Sequence, residues 1–127
     1  PDGRRSGEYF AQGLTPSRLK KIASVTDVIN SLKKIDGSLI AGNSVVNIIL
    51  PSGKTTLDVC EAFLRSCTNS AMQCLQLNCT SKKELLDAQK HPEKYPDLIV
   101  RVTGFSARFT ALSPEWQQEV LTRNFYE

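Results

Sequence analysis

Hydrophobic and polar positions follow two different spacings along this chain. Short segments with the character of buried strands occur at residues 44–50, 73–78 and 98–103, and the first of them is rich in β-branched residues. Between and after these segments, apolar residues recur at helical spacing behind a Ser or Thr, which predicts capped amphipathic helices. The expected starts of these helices are Thr26, Thr55 or Thr56, Ser81 and Ser113. Strands that alternate with helices in this way predict an α/β fold.

Local signals refine the expected helices. Ser81 and Glu84 have the spacing of a capping box, in which each residue satisfies a backbone N–H group of the helix start. Ser113 precedes a proline, which favours the first turn of a helix, so the terminal helix is assigned to residues 113–124. The second helix is expected to bury an apolar face formed by Val59, Cys60, Phe63, Leu64 and Cys67.

Composition narrows the class of protein. The 127 residues, 40% of them hydrophobic, suit a single domain with its own core. No apolar run approaches the roughly 18 residues of a membrane span, and the net charge of +3 is scattered, so neither a membrane nor a nucleic acid is an expected partner. Residues 1–25 are rich in Gly, Pro, Ser and basic residues and predict an extended loop. The chain begins at Pro1 without a secretory signal, which predicts a cytoplasmic piece of a longer protein.

Four cysteines raise the question of a metal or disulfide site. They form no Cys-x-x-Cys pair, and the single histidine, His91, lies apart from them, so we expect neither a metal nor a bound cofactor. Cys60 and Cys67 lie two helical turns apart and are expected to be small buried hydrophobic residues. In a cytoplasmic protein the thiols are expected to be reduced.

The segment around Gly104 carries the most specific signal. In Ile99-Val100-Arg101-Val102-Thr103-Gly104-Phe105-Ser106-Ala107-Arg108-Phe109, an aliphatic strand is followed by Arg-Val, a small residue, Gly, an aromatic residue, a small pair and a later Phe. This segment resembles the signature of the glycyl radical enzymes, in which the glycine stores an unpaired electron on its backbone carbon. Residues 1–8 resemble a second family motif, and residues 112–123 resemble the closing helix, so the resemblance spans the chain. Thr103 and Phe105 depart from the commonest form, which has Ala or Ser and Tyr there.

The resemblance implies a site centred on Gly104. A radical on a peptide α carbon is delocalised over the flanking amides when the centre is planar, and a side chain would crowd it, whereas glycine leaves the backbone free. Support for the radical loop is assigned to Arg101, Val102, Thr103, Phe105, Ser106 and Ala107. For Arg101 two interpretations stay open: an anchor of the loop or a residue facing the barrel interior, and a surface ion pair. Phe105, Phe109 and Trp116 are expected to pack the loop down and exclude water and oxygen.

The resemblance also implies a larger assembly. The whole chain, 1–127, corresponds to the C-terminal glycine radical domain at the edge of a ten-stranded α/β barrel, with strand and radical loop at 98–109 before the last helix. A radical S-adenosylmethionine activating enzyme with an iron–sulfur cluster would install the radical on a loop that swings out to meet it. The radical would pass to a catalytic cysteine in the remainder of the barrel, not to one of the four cysteines here. The full enzyme is expected to be a homodimer that acts on a small-molecule substrate.

Three functions remain open from the sequence. The first is the radical-bearing part of a glycyl radical lyase, dehydratase or decarboxylase, inactive as a separate fragment. The second is a free-standing radical subunit that docks onto a separate catalytic chain. The third is a non-catalytic α/β binding module in which the glycine loop has no chemical role.

Overall fold

A computed structural model describes residues 3–19, 22, 24–42, 44–53, 55–68 and 70–126. Four α-helices and four strands lie along these residues, and they alternate except for two consecutive strands before the last helix. The helices are α1 (Val25–Leu32), α2 (Leu57–Cys67), α3 (Lys82–Lys90) and α4 (Pro114–Leu121). The strands are β1 (Val45–Leu50), β2 (Cys74–Cys79), β3 (Ile99–Arg101) and β4 (Ser106–Arg108). The predicted α/β class is confirmed.

The first half of the chain is built around a parallel strand pair. β1 and β2 pair along their whole length, from Val45 opposite Cys74 to Leu50 opposite Cys79, and α2 makes the connection that parallel strands require. β1 is buried on both faces, which is why its sequence reads as a continuous apolar run. Its side chains share a core with α1, α2 and the end of the chain, comprising Val28, Ile29, Leu32, Val46, Ile48, Leu50, Phe63 and Tyr126.

The second half is built around a short antiparallel hairpin. β3 and β4 pair over three positions, with Val100 opposite Ala107 at the centre. Helices α3 and α4 and the turn after β4 pack around this hairpin, and together they bury Leu85, Ala88, Val100, Val102, Phe109, Val120 and Leu121. The halves meet where Ile49 of β1 forms a bridge with Phe125 and where the Asn78 amide of β2 contacts β3.

Several element boundaries differ from the sequence prediction. The third predicted strand, 98–103, is shorter, and it turns back into β4, which the sequence did not predict. The cap of α1 is Ser24, whose hydroxyl accepts a hydrogen bond from the Asp27 N–H at 3.2 Å, so the predicted cap at Thr26 is wrong. The predicted capping box of Ser81 is confirmed.

The face of α2 is less buried than predicted. Phe63 is the buried hydrophobic residue of this helix, whereas Val59 and Leu64 are each about half exposed. Cys60 and Cys67 are half-buried rather than buried. The reason is that α2 enters the first core through Phe63, with Cys67 packed against that core, and the rest of the predicted face is left partly uncovered. The terminal helix likewise covers Pro114–Leu121 within the predicted 113–124.

Candidate functional site

Gly104 lies at the tip of the β3–β4 hairpin. Arg101 pairs with Ser106, and the Val102 N–H donates to the Phe105 carbonyl at 2.9 Å, so Thr103 and Gly104 form the turn between them. Gly104 has φ of +73°, a left-handed conformation that L-residues with side chains rarely adopt. A Cβ built at this position would meet no atom within 4 Å. Backbone conformation, and not lack of space, therefore favours glycine at the tip.

The upstream stem of the turn is fixed by an asparagine from β2. Asn78 is buried, and its Oδ1 accepts from the Arg101 N–H at 2.6 Å while its Nδ2 donates to the Arg101 carbonyl at 3.2 Å. One side-chain amide thus satisfies both backbone groups of the last residue of β3. This places the start of the turn against the first half of the molecule.

Arg123, which follows the last helix, binds the carbonyls of Arg101 and Val102. Arg123 Nη1 donates to the carbonyl of Arg101 at 2.8 Å, and Nη2 donates to the carbonyl of Val102 at 2.7 Å. The same guanidinium forms an ion pair of 2.6 Å with Glu119, four residues earlier, and both side chains are only 5% exposed. Burying a charged pair is costly unless its hydrogen-bonding groups are satisfied, and here the two carbonyls and the carboxylate satisfy those of Arg123.

The buried carboxylate of Glu119 also binds the N-terminal segment. Arg18 forms an ion pair with Glu119 Oε1, and the side chain of Gln12 donates to the same oxygen at 3.3 Å. Arg18 further donates to the hydroxyl of Thr122 at 2.8 Å. The sequence prediction did not include Glu119, Arg123 or Arg18. The signal available for two of them was the helical spacing of Glu119 and Arg123 on the terminal helix.

The Arg101 side chain reaches across the hairpin. Its Nη1 donates to the hydroxyl of Ser106 at 3.3 Å, and among the described residues it has no carboxylate partner. The contact fits the anchoring interpretation better than the surface ion pair. Val102 is fully buried, Ala107 is half-buried, and Thr103 and Ser106 are exposed, so the predicted support residues alternate between core and solvent.

The three aromatic residues near the turn have different environments. Phe109 is fully buried and packs in the second core, where the sequence placed it. Phe105 is 49% exposed and Trp116 is 44% exposed within this chain, so their packing over the loop stays a prediction. Phe105 lies on the tip beyond the last strand pair, and Trp116 lies in the first turn of α4 beside Tyr9 and Phe10.

The cysteines form no bond with one another in the structure. All four are free thiols, Cys79 is exposed at the end of β2, and burial raises the pKa of the Cys67 thiol. Within the described ranges, no three His, Cys, Asp or Glu residues are grouped so that they could hold a metal ion. None of the described helices is long and apolar enough to cross a membrane.

The fold and the site together define a class of protein: an α/β chain that presents a glycine on an exposed turn whose stem is fixed by buried polar groups. The chain belongs to the glycine radical family, whose sequence pattern matches residues 10–110, Gly104 included. It is 34% identical over 128 residues to the probable dehydratase YbiW of Escherichia coli (strain K12), and the match covers 97% of this chain and 16% of that protein.

Solved structures agree with this family assignment. The chain aligns with a TM-score of 0.85 and 33% identity to a structure on 1,2-propanediol dehydration in Roseburia inulinivorans, over 98% of this chain and 15% of the other. It aligns with a TM-score of 0.82 and 35% identity to the glycerol-bound form of the B12-independent glycerol dehydratase from Clostridium butyricum, over 98% and 16%. The α/β fold is therefore that of glycyl radical enzymes, and the chain spans about one sixth of the length of these relatives.

Proposed function

We propose that this chain is the radical-bearing region of a glycyl radical enzyme of the dehydratase type, and that Gly104 stores the radical on its α carbon. The observation that carries the proposal is the exposed position of Gly104 at the hairpin tip. The direction in which a Cβ would point is the direction of one of the two α hydrogens, and it is open to at least 4 Å. Apart from the two chain neighbours of Gly104, no described atom lies within that distance.

Storage and use of the radical need three hydrogen-atom transfers at Gly104. A radical S-adenosylmethionine activating enzyme, with its own iron–sulfur cluster, first removes one hydrogen atom from the Gly104 α carbon. The glycyl radical then takes a hydrogen atom from the S–H group of a cysteine in the remainder of the catalytic barrel, which restores Gly104 and leaves a thiyl radical there. At the end of turnover Gly104 returns a hydrogen atom to the thiyl radical, which restores both the thiol and the glycyl radical. The chain supplies position and protection for these steps, and the substrate chemistry takes place at the cysteine.

The neighbouring residues have supporting roles in this proposal. Arg101 anchors β4 through Ser106, and the buried side chain of Val102 ties the start of the turn to the core. Ala107 packs against the same core, while Thr103 and Phe105 flank Gly104 on the exposed tip. In the full enzyme the tip would enter the barrel, which would cover these flanking residues.

The names of the relatives support a proposal for the substrate class. The named relatives are dehydratases, and two of the solved structures concern 1,2-propanediol and glycerol. We propose a small hydroxylated substrate that loses water, in a cytoplasmic homodimeric enzyme whose two short sheets form the edge of the ten-stranded barrel. Other lyase or decarboxylase chemistry is the alternative within the same family.

Anaerobic activation followed by electron paramagnetic resonance tests the role of Gly104. The native protein, treated with the activating enzyme and S-adenosylmethionine, should give a doublet that is lost in Gly104→Ala. Brief exposure to air should cut the activated protein at Gly104 and release residues 105–127. Gly53 offers a matched control because it has φ of +79° and equally open space. Gly53→Ala should keep the doublet, and a doublet that survives Gly104→Ala would overturn the assignment.

The intact mass of the native protein separates the remaining alternatives. A chain of several times this length would support the enzyme region, and a native chain of this length would support the free-standing subunit. If the protein gives no radical after verified activation, whatever its native length, the non-catalytic binding module is favoured.

A further inference from the structure

The guanidinium of Arg123 makes an unusual set of contacts for a residue outside the active turn. It donates to the two consecutive carbonyls that lead into Thr103 and Gly104, at 2.8 and 2.7 Å. Its remaining contacts are with Glu119, at 2.6 Å from Nη2 and 3.3 Å from Nε. A planar fork of donors suits this arrangement, whereas an ammonium group could not span two carbonyls and a carboxylate in one plane.

Glu119 connects this contact to a distant part of the sequence. Its Oε1 atom is bound by Arg18, which lies in the N-terminal segment, residues 9–18. Further contacts attach this segment to α4 and to the residue after it: the Tyr9 hydroxyl donates to the Glu115 carbonyl at 3.2 Å, Gln12 donates to Glu119 Oε1 at 3.3 Å, and Arg18 donates to the Thr122 hydroxyl. A continuous chain of charged contacts therefore runs from Arg18 through Glu119 and Arg123 to the stem of the turn.

The downstream side of the hairpin lacks such attachments. Within the described residues, the hydrogen bonds and ion pairs of β4 go to residues 97–101 of the same hairpin. The tip, residues 103–105, is exposed and its one backbone contact is with Val102. From outside the hairpin, polar contacts therefore hold the start of the turn at two points. Arg123 binds the carbonyls of Arg101 and Val102, and Asn78 binds the N–H and the carbonyl of Arg101.

We propose that Arg123 is a positioning residue for the Gly104 turn, and that Arg18, acting through Glu119, keeps it in place, so that docking of residues 9–18 on α4 controls how readily the turn is released. When Arg18 withdraws, Glu119 loses a partner and gains access to water, which weakens its hold on Arg123 and then on the carbonyls. The consequence for radical installation rests on the proposed function of Gly104, whereas the control of turn release does not.

Amide hydrogen exchange of the native protein tests the positioning role without any radical. The reporters are the Val102 N–H, bonded to Phe105, and the Phe109 N–H, bonded to the Leu98 carbonyl at 2.8 Å. Arg123→Lys should speed exchange at both by about tenfold, because charged hydrogen bonds to the stem are lost. Arg18→Met should speed it by about threefold through the same contacts.

A matched pair on α2 provides the control. Arg65 and Glu61 form an ion pair with the same four-residue spacing, but the pair is exposed and does not contact the hairpin. Arg65→Met should leave the reporters unchanged. The amides of β1 other than that of Asn47, which donates to the Thr15 hydroxyl in the N-terminal segment, report global opening and should keep their rates in every variant. Unchanged exchange at Val102 and Phe109 in Arg123→Lys, or an equal rise in β1, would overturn the proposal. If Arg123→Lys does not fold, Arg18→Met decides by the same reporters.

Activation kinetics give a second readout. Under anaerobic activation, Arg123→Lys should gain the doublet severalfold faster than the native protein and lose it faster in air, because the turn spends more time released. An equal rate in the presence of faster exchange would overturn the link to radical installation. A native protein that never gives a doublet counts against the proposed function of Gly104, while the exchange result still judges the positioning role.

Discussion

Both halves of this molecule have an apolar core, but the β1–β2 strand pair and the turn at Gly104 are held by different forces. The β1–β2 half pairs six-residue strands and packs them in a core of apolar side chains. The β3–β4 half pairs only three positions, and the stem of its turn depends on the side chains of Asn78 and Arg123. Burial is non-directional and is lost only when the structure opens, whereas a few directional hydrogen bonds can be exchanged for others. The turn that carries Gly104 is thus the part of the molecule that can be released locally.

The largest expected effect on stability comes from a substitution in the first core, at β1. Ile48 is fully buried in β1, so Ile48→Ala should lower the free energy of unfolding by about 3 kcal/mol through lost burial and the cavity left behind. The same change in the hairpin, Ile99→Ala, removes a side chain that is 64% exposed and should cost below about 1 kcal/mol, mainly strand propensity. Urea denaturation of both variants measures the difference. Equal losses would contradict the difference in burial between these two positions.

A smaller effect is expected from the polar contacts. Asn78→Leu should cost about 2 kcal/mol, because it leaves the N–H and the carbonyl of Arg101 short of a buried partner. Gln76, on the same face of β2, is a matched control: it is also buried, but its Oε1 has no hydrogen-bond partner. Gln76→Leu should therefore be close to neutral or stabilising.

Exchange rates and urea denaturation together check this prediction. In Asn78→Leu the Arg101 and Val102 amides should exchange faster than those of β1, since the loss is local to the hairpin. If Gln76→Leu proves as costly as Asn78→Leu, the hydrogen bonds to Arg101 do not account for the stability of the stem.

The elements that the sequence predicted well are those that depend on local signals. The β1 strand and the capping box of α3 depend on local composition and spacing, and both were predicted. β4 was missed because Ser106–Arg108 has neither a β-branched run nor an apolar alternation, and it pairs only because the turn at Gly104 returns the chain. Of the candidate site, the sequence identified the turn but not what holds it. Glu119 and Arg123 have the spacing of a helical ion pair, which was not predicted, and only the packing of α4 against β3 brings Arg123 to the carbonyls.

The smallest effect at neutral pH concerns Tyr126, which closes the first core. Among the described residues its buried hydroxyl has no hydrogen-bond partner, and burial raises the pKa of Tyr126 to about 12 from the ordinary value of 10.0. The folded protein therefore keeps a phenol proton that the unfolded chain loses more readily. This difference in pKa contributes on the order of 2 kcal/mol to the free energy of unfolding, relative to the fully ionised phenol. The contribution is complete below pH 10.0 and is lost as the pH rises towards about 12.

Tyr126→Phe isolates this effect. At pH 7 the variant should be as stable as the native protein or slightly more so, because an unpaired buried hydroxyl contributes nothing favourable. Between pH 10 and 12 the native protein should lose stability relative to Tyr126→Phe, as measured by urea denaturation at each pH. A clear loss of stability in Tyr126→Phe at pH 7 would mean that the hydroxyl has a partner, and that the first core is held by a polar contact much as the hairpin is.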